Sequence, residues 1–343
     1  MKSNFWHDTG IGNTIMAGLS GLDLDQDTRC LIEEYGVSNF IIFTRNAEAG
    51  PARLASLCNS ITELCMSIGI QPLIAIDQEG GPVRRLTPPL FPDMPSAADV
   101  TSSADPQELV KKLACITADM LHNAGLNMNL APVLDLCMEA ADNVLRGRCF
   151  SSDPEVVARL GSTYIRELQA GAILATAKHF PGIGSVKVDP HLARPVVKST
   201  WQEILDGLIP FQRAVKAGVA AVMTSHVVYT AIDPERPATF SRIIATDMLR
   251  HELGFQGLLL SDDLEMKGIT SHVGPGEAAV TAFLAGHDIC LICNNQDYVV
   301  QALSAMRDAV KTGKIPKERL CSSIDRRART IERIRSKVDD FAS

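Results

Sequence analysis

Five short stretches of this 343-residue sequence set chemically capable side chains close together. Asp77-Gln78-Glu79-Gly80-Gly81 carries two carboxylates two residues apart. Lys178-His179 puts an ammonium beside an imidazole. Asp189-Pro190-His191 holds an acid and a histidine within a Gly-, Ser- and Pro-containing loop, 182–195. Thr224-Ser225-His226 and Ser261-Asp262-Asp263 each close an apolar run, and Asp135 follows another. Three chemistries use such groups. His179, His191, His226 and Asp262 are possible metal ligands, but no HExxH or HxH spacing gathers them, and no metal is assigned. Lys178 could form a Schiff base with a carbonyl substrate, a role that leaves Asp189, His191 and Asp262 without a task. Glycoside hydrolysis with retention needs a carboxylate at the anomeric carbon and an acid/base partner about 5 Å away. Asp262 suits the first role. His191 suits the second, because an imidazole can give and take a proton near neutral pH. Asp189 is then placed to hold that ring.

These groups need a scaffold that gathers them, and the chain has a repeating one. A helix-like stretch, a glycine, an apolar residue and a short apolar run recur in that order. The glycines are Gly36, Gly69, Gly125, Gly171, Gly218, Gly254 and Gly286. A glycine ends a helix in the left-handed conformation, and an unbroken apolar run reads as a strand buried on both faces. With a first run at 14–19, the pattern predicts eight strands, the others near 40–43, 73–76, 127–130, 173–176, 220–223, 258–260 and 289–292. Helices are expected over 25–35, 51–68, 106–123, 154–169, 201–217, 241–253 and 276–285. Eight βα units without a hairpin signal favour an α/β fold of the (β/α)8 barrel type over an open sheet. No GxGxxG follows the first strand, which weakens a dinucleotide-binding reading. The expectation is one catalytic domain over 1–343, with the barrel at about 12–313 and a C-terminal helix at 314–343. The arginines of that tail, Arg326, Arg327, Arg329, Arg333 and Arg335, read as a solvated face. Such a barrel places its chemistry at the C-terminal ends of the strands, where the ionisable groups above fall. Asp135 and Asp263 serve equally well as helix caps there, whereas Lys178 at a buried strand end calls for an acidic partner.

Composition narrows the function classes. Hydrophobic residues are 46% and charged residues 21%, enough for a large core. Against 33 Lys and Arg stand 40 Asp and Glu, a formal charge of −7, so the chain lacks the basic balance that nucleic-acid backbones require. No apolar run is long enough for a membrane span. Nine cysteines, an odd number in a long chain, do not read as a disulfide framework. Cys58, Cys65, Cys115, Cys137, Cys290 and Cys293 sit in apolar sequence and are expected to be reduced core fillers. With no apolar leader at residues 1–24, a cytoplasmic location is expected.

Several blocks resemble the β-N-acetylhexosaminidases of glycoside hydrolase family 3, NagZ type. They are IAIDQEGGPVRRL, VLRGRCFSSDP, KHFPGIGSVKVDPHLARP, AVMTSHVVYTAIDPERPATFS and LGFQGLLLSDDLEMKGI, in the family's order and spanning about residues 19–293. The resemblance implies a (β/α)8 barrel with Asp262 as nucleophile, His191 as general acid/base and Asp189 as its dyad partner. It implies sugar binding by Asp77, Arg85, Arg148, Lys178 and His179, and no cofactor. Glu79 is read as support for its own loop. The sequence departs from the family at Ile183, where KHFPGHG usually has histidine, at Pro190, where DSH is usual, and at Pro82, where arginine often follows the double glycine. The implied partner is a short glycan with a terminal β-linked N-acetylglucosamine, such as a muropeptide fragment met in cell-wall recycling. An aromatic content of 5% fits a short substrate better than a long polysaccharide. A β-glucosidase or phosphorylase on the same scaffold, and a sugar-binding protein that has lost activity through the altered loop, are the alternatives.

Overall fold

Eight parallel strands close into a barrel in the computed structural model, which describes residues 5–137, 145–183 and 195–342. They are β1 (Ile15–Gly18), β2 (Asn39–Ile42), β3 (Leu73–Ile76), β4 (Met128–Asn129), β5 (Leu174–Phe180), β6 (Ala221–Thr224), β7 (Leu258–Asp263) and β8 (Ile289–Ile292). Each pairs with its neighbours in chain order, and β1 pairs with β8. The runs are mostly apolar because both strand faces are buried, with buried polar residues such as Asn39, Asn129 and Thr176 among them. Met16, Ile41, Leu73, Met128, Leu174, Leu258 and Leu291 fill the barrel interior, while alternate residues such as Ile15, Phe40, Ile74 and Ile292 pack outward under the helices.

The surrounding helices are α1 (Gln26–Glu33), α2 (Pro51–Ser67), α3 (Pro106–Asn123), α4 (Pro154–Ala170), α5 (Trp201–Lys216), α6 (Pro275–Ala285), α7 (Gln296–Lys311) and α8 (Lys317–Ala342). Their starts are written locally. Asp25, Asp105, Asp153, Thr200 and Asn295 each accept a backbone N–H of the first turn. Four begin with proline, whose missing N–H costs nothing at that position. The helix expected over 241–253 is present but wound wider, as a π-helix over Ile243–Glu252. A small parallel sheet of Val196–Val197 and Val228–Tyr229, not foreseen, sits beyond the strand ends.

The glycine rule fails once. At Gly171-Ala172 the left-handed residue is Ala172 (φ 63°). Gly171 serves packing instead, since a Cβ there would lie 2.5 Å from the Cβ of Ala118 on α3. Two further expectations are corrected. The tail is a solvated face only in part, at Arg329 and Arg333. Ile331 of α8 joins the apolar cluster of the barrel interior, so the helix closes the N-terminal mouth. Arg327 is buried and donates to Asn39 Oδ1 and the Gln71 carbonyl. Arg326 pairs with the buried Asp288 at 2.6 Å. Of the cysteines, Cys58, Cys65, Cys290 and Cys293 are buried as expected, but Cys115 is exposed and Cys137 is joined to Cys149 in a disulfide.

Candidate active site

The C-terminal strand ends surround a cleft of about 280 Å³ lined by Asp77, Glu79, Arg85, Arg148, Lys178, His179, Asp262 and Asp263. Asp77 follows β3 directly. Glu79, two residues on in extended chain, lines the same cleft, while Gln78 turns into the protein. Gln78 Oε1 accepts the backbone N–H groups of Arg85 and Leu86 (3.0 Å each), folding the loop back so that Arg85 Nη2 reaches Asp77 at 3.2 Å. Arg85 lies 5.2 Å from the ring centre of Phe43, the one ring among the described residues lining the cleft apart from the imidazole of His179. Its buried Nε has no hydrogen-bond acceptor among the described residues.

Lys178, near the end of β5, supplies the centre of charge. Its Nζ sits 2.8 Å from Asp77 and 2.7 Å from Glu79, with the side chain 3% exposed. Arg148 grips Glu79 with two parallel bonds of 2.8 Å, the planar fork matching the carboxylate. Burial alone would raise the Asp77 carboxyl, but the charges of Lys178 and Arg85 outweigh it and hold the group at about 2. The same opposition, with Lys178 and Arg148 prevailing, lowers Glu79. Lys178 is pushed up despite its burial by Asp77 and Glu79. All three groups are therefore charged across the neutral range.

Opposite this array, Asp262 stands at the tip of β7, its Oδ1 accepting the Asp263 N–H at 2.8 Å. His226 braces that turn by donating Nε2–H to the Asp263 carbonyl at 2.8 Å. Burial pushes His226 down and keeps it neutral, so its role at this site is a fixed donor. The Asp263 carboxyl accepts the Glu265 N–H in a local turn and is pushed up to about 6, chiefly by burial, with Glu265 and Asp262 adding like charge. Among the described residues, no three His, Cys, Asp or Glu side chains converge to hold a metal ion.

The structure thus brings together Asp77, Arg85, Arg148, Lys178, His179 and Asp262. Asp189 and His191 lie outside the described residues. Ile183, at the base of that segment, is buried in the main apolar cluster. Two residues gain weight beyond the sequence reading. Glu79 does more than support its own loop, because it holds both Arg148 and Lys178. Among the described residues Asp135 caps no helix. Wholly buried, it accepts from His179 N (3.2 Å), His179 Nδ1 (2.7 Å) and Ile183 N (2.8 Å). The spacing of Asp77 and Glu79 was a legible signal for the first; the second depends on β4 lying beside β5.

Comparison with known proteins agrees with this fold. The glycosyl hydrolase family 3 N-terminal domain model matches residues 11–330. A beta-hexosaminidase of Thioalkalivibrio sulfidiphilus is 35% identical over 299 residues, covering 86% of this chain and 84% of its own. A family 3 β-N-acetylglucosaminidase from a Paenibacillus strain superposes with a TM-score of 0.88 at 36% identity, over 98% of this chain and 63% of that one. This chain therefore spans less than two thirds of the Paenibacillus enzyme. NagZ from Neisseria gonorrhoeae gives a TM-score of 0.77 at 28% identity, over 91% of this chain and 96% of that one.

Proposed function

We propose, from the premise that the chain belongs to glycoside hydrolase family 3 and is a glycoside hydrolase, that it acts as a retaining exo-β-N-acetylglucosaminidase on short glycans. The observation that carries this reading is the arrangement of the cleft: Asp262, near the end of β7 with Asp263 beside it, shares the cleft with the Asp77, Glu79, Arg148 and Lys178 array. Asp77, held ionised, accepts protons from sugar hydroxyls, and Lys178, Arg148 and the spare Nε–H of Arg85 donate to hydroxyl or acyl oxygens. Asp262 attacks the anomeric carbon and the glycosidic C–O bond breaks. Its electron pair leaves with the oxygen, which takes a proton from His191. In the second half, His191 removes a proton from water, the water oxygen attacks the same carbon, and the bond to Asp262 breaks. Asp189 holds the His191 ring through both halves.

A panel of nitrophenyl β-glycosides, run with and without phosphate, tests this. The expected result is release of β-N-acetylglucosamine without a phosphate requirement. A sugar phosphate product would make the protein a phosphorylase, preference for the glucoside a β-glucosidase, and inertness on every substrate a sugar-binding protein. A mechanism-based fluorosugar should label Asp262, and Asp262→Ala should lose turnover while remaining folded; a label on Glu79 or Asp263 would move the nucleophile.

Muropeptide fragments as substrate and the cytoplasm as compartment complete the proposal. The Cys137–Cys149 disulfide is the feature that weighs against a reducing compartment. Thiol counting on protein drawn from its own cells decides this part. A reduced pair is expected, and an oxidised pair would remove the cytoplasm from the reading.

A further inference from the structure

We infer that Asp135 is a positioning residue for this site: it selects the tautomer of His179 and so decides which way that ring hydrogen-bonds with the sugar. The inference rests on the functional reading above for the sugar, but on geometry alone for the ring. Asp135 follows β4, and the chain between them is stitched to β5, with Leu134 N donating to the Lys178 carbonyl at 2.7 Å and Val133 bridged to Lys178. This delivers a wholly buried carboxylate behind His179. Its Oδ2 receives both the backbone N–H and Nδ1 of His179, and its Oδ1 receives Ile183 N–H. A carboxylate only accepts, so Nδ1 must carry a proton. In the neutral ring, Nε2 is then bare and free to accept a hydroxyl proton in the cleft that His179 lines. Lys178 and Arg148 only donate, so an accepting imidazole beside them adds a neutral acceptor to the carboxylate of Asp77.

Asp135→Asn separates positioning from mere support. One amide oxygen cannot receive all three donors; with the oxygen toward Ile183 N–H, the NH2 in place of Oδ2 confronts both the backbone N–H and Nδ1–H of His179, and only the ring can relieve this by giving up the Nδ1 proton. His179 should switch to the Nε2–H tautomer and present a donor where the sugar met an acceptor. Nitrogen-15 spectra of the histidines at pH 9, with His179→Gln assigning the signal, should show Nδ1 protonated in the wild type and bare in Asp135→Asn. A bare Nδ1 in the wild type overturns the inference, whether or not the variant folds. Against nitrophenyl β-N-acetylglucosaminide, kcat/KM should fall about 30-fold in Asp135→Asn, equivalent to about 2 kcal/mol. In a His179→Gln background the same change should cost about threefold or less, since partners acting through one residue do not add. An undiminished cost in that background would make Asp135 structural and overturn the inference. Wild-type inertness on the whole glycoside panel would instead fail the functional reading and leave the tautomer result standing.

Discussion

At the scale of single residues, the site works because charges are buried only in company. Lys178 would be costly in its 3% exposed position without both Asp77 and Glu79. Glu79→Gln leaves Lys178 and Arg148 with one fewer negative partner. It should raise KM about tenfold or more and lower stability by about 3 kcal/mol, read from initial rates and denaturant unfolding; unchanged KM would return Glu79 to the role of loop support. Asp263 behaves in the opposite sense. Its folded carboxyl, at about 6, lies above the ordinary value of 3.8, so the folded state holds the proton more tightly than the unfolded chain does. The associated stability is complete below about pH 4 and is lost as pH rises through about 6. Asp263→Asn should remove that slope between pH 4 and 7 in a series of thermal melts. A slope unchanged by the substitution would assign it to another group.

At the scale of elements, strand ends and the connections after them fix the reacting groups. The Cys137–Cys149 disulfide joins the stretch after β4 to the residue next to Arg148, while Cys137 N also donates to the Ser151 carbonyl at 3.0 Å. Closing a loop of 12 residues' separation restricts the unfolded chain by about 3 kcal/mol in the chain-entropy view. In protein whose pair is oxidised, Cys149→Ser should therefore lower thermal stability, with KM rising as Arg148 loses its anchor. Dithiothreitol should do the same to the wild type and nothing further to the variant. A stability loss with KM unmoved would confine the bond to a structural role. Ala172 offers a smaller test. An alanine in the left-handed region costs about 1 kcal/mol relative to glycine, so Ala172→Gly should raise the denaturation midpoint slightly. A loss of stability would mean that unfolded-chain entropy outweighs the relieved strain.

At the scale of the molecule, the barrel separates chemistry from support. The reacting groups lie at or just beyond the C-terminal ends of the strands; Asp288 precedes one. It receives Arg250, Arg326, Arg319, Ser323 Oγ–H and Leu259 N–H, and with Arg327 and Ile331 it fastens α8 across the N-terminal mouth. Burial would raise the Asp288 carboxyl, but the three arginines outweigh it and lower the group. Asp288→Ala strands those charges and should cost about 3–5 kcal/mol in chemical denaturation. The kcat of the protein that stays folded at 25 °C should be unchanged, because the defect lies at the opposite end of β8 from the cleft. A matching loss of kcat would show that the two ends are coupled.

The sequence by itself determined the barrel, because double-sided strand runs recur eight times and a glycine stands before seven of them, both local facts. It also determined where Asp77, Lys178 and Asp262 fall, since each lies within two residues of a strand's apolar run. Tertiary structure decided what depends on neighbours distant in the chain. The ring of His179 meets the carboxylate of Asp135, 44 residues earlier, because parallel strands bring their exits together. Arg327 is buried rather than solvated because the open mouth of the barrel offers it the carbonyl of Gln71 and the side chain of Asn39. Cys137 is paired with Cys149, which composition does not encode. Gly171 and Ala172 exchange their expected roles because Ala118 of a neighbouring helix occupies the space that a Cβ at 171 would need.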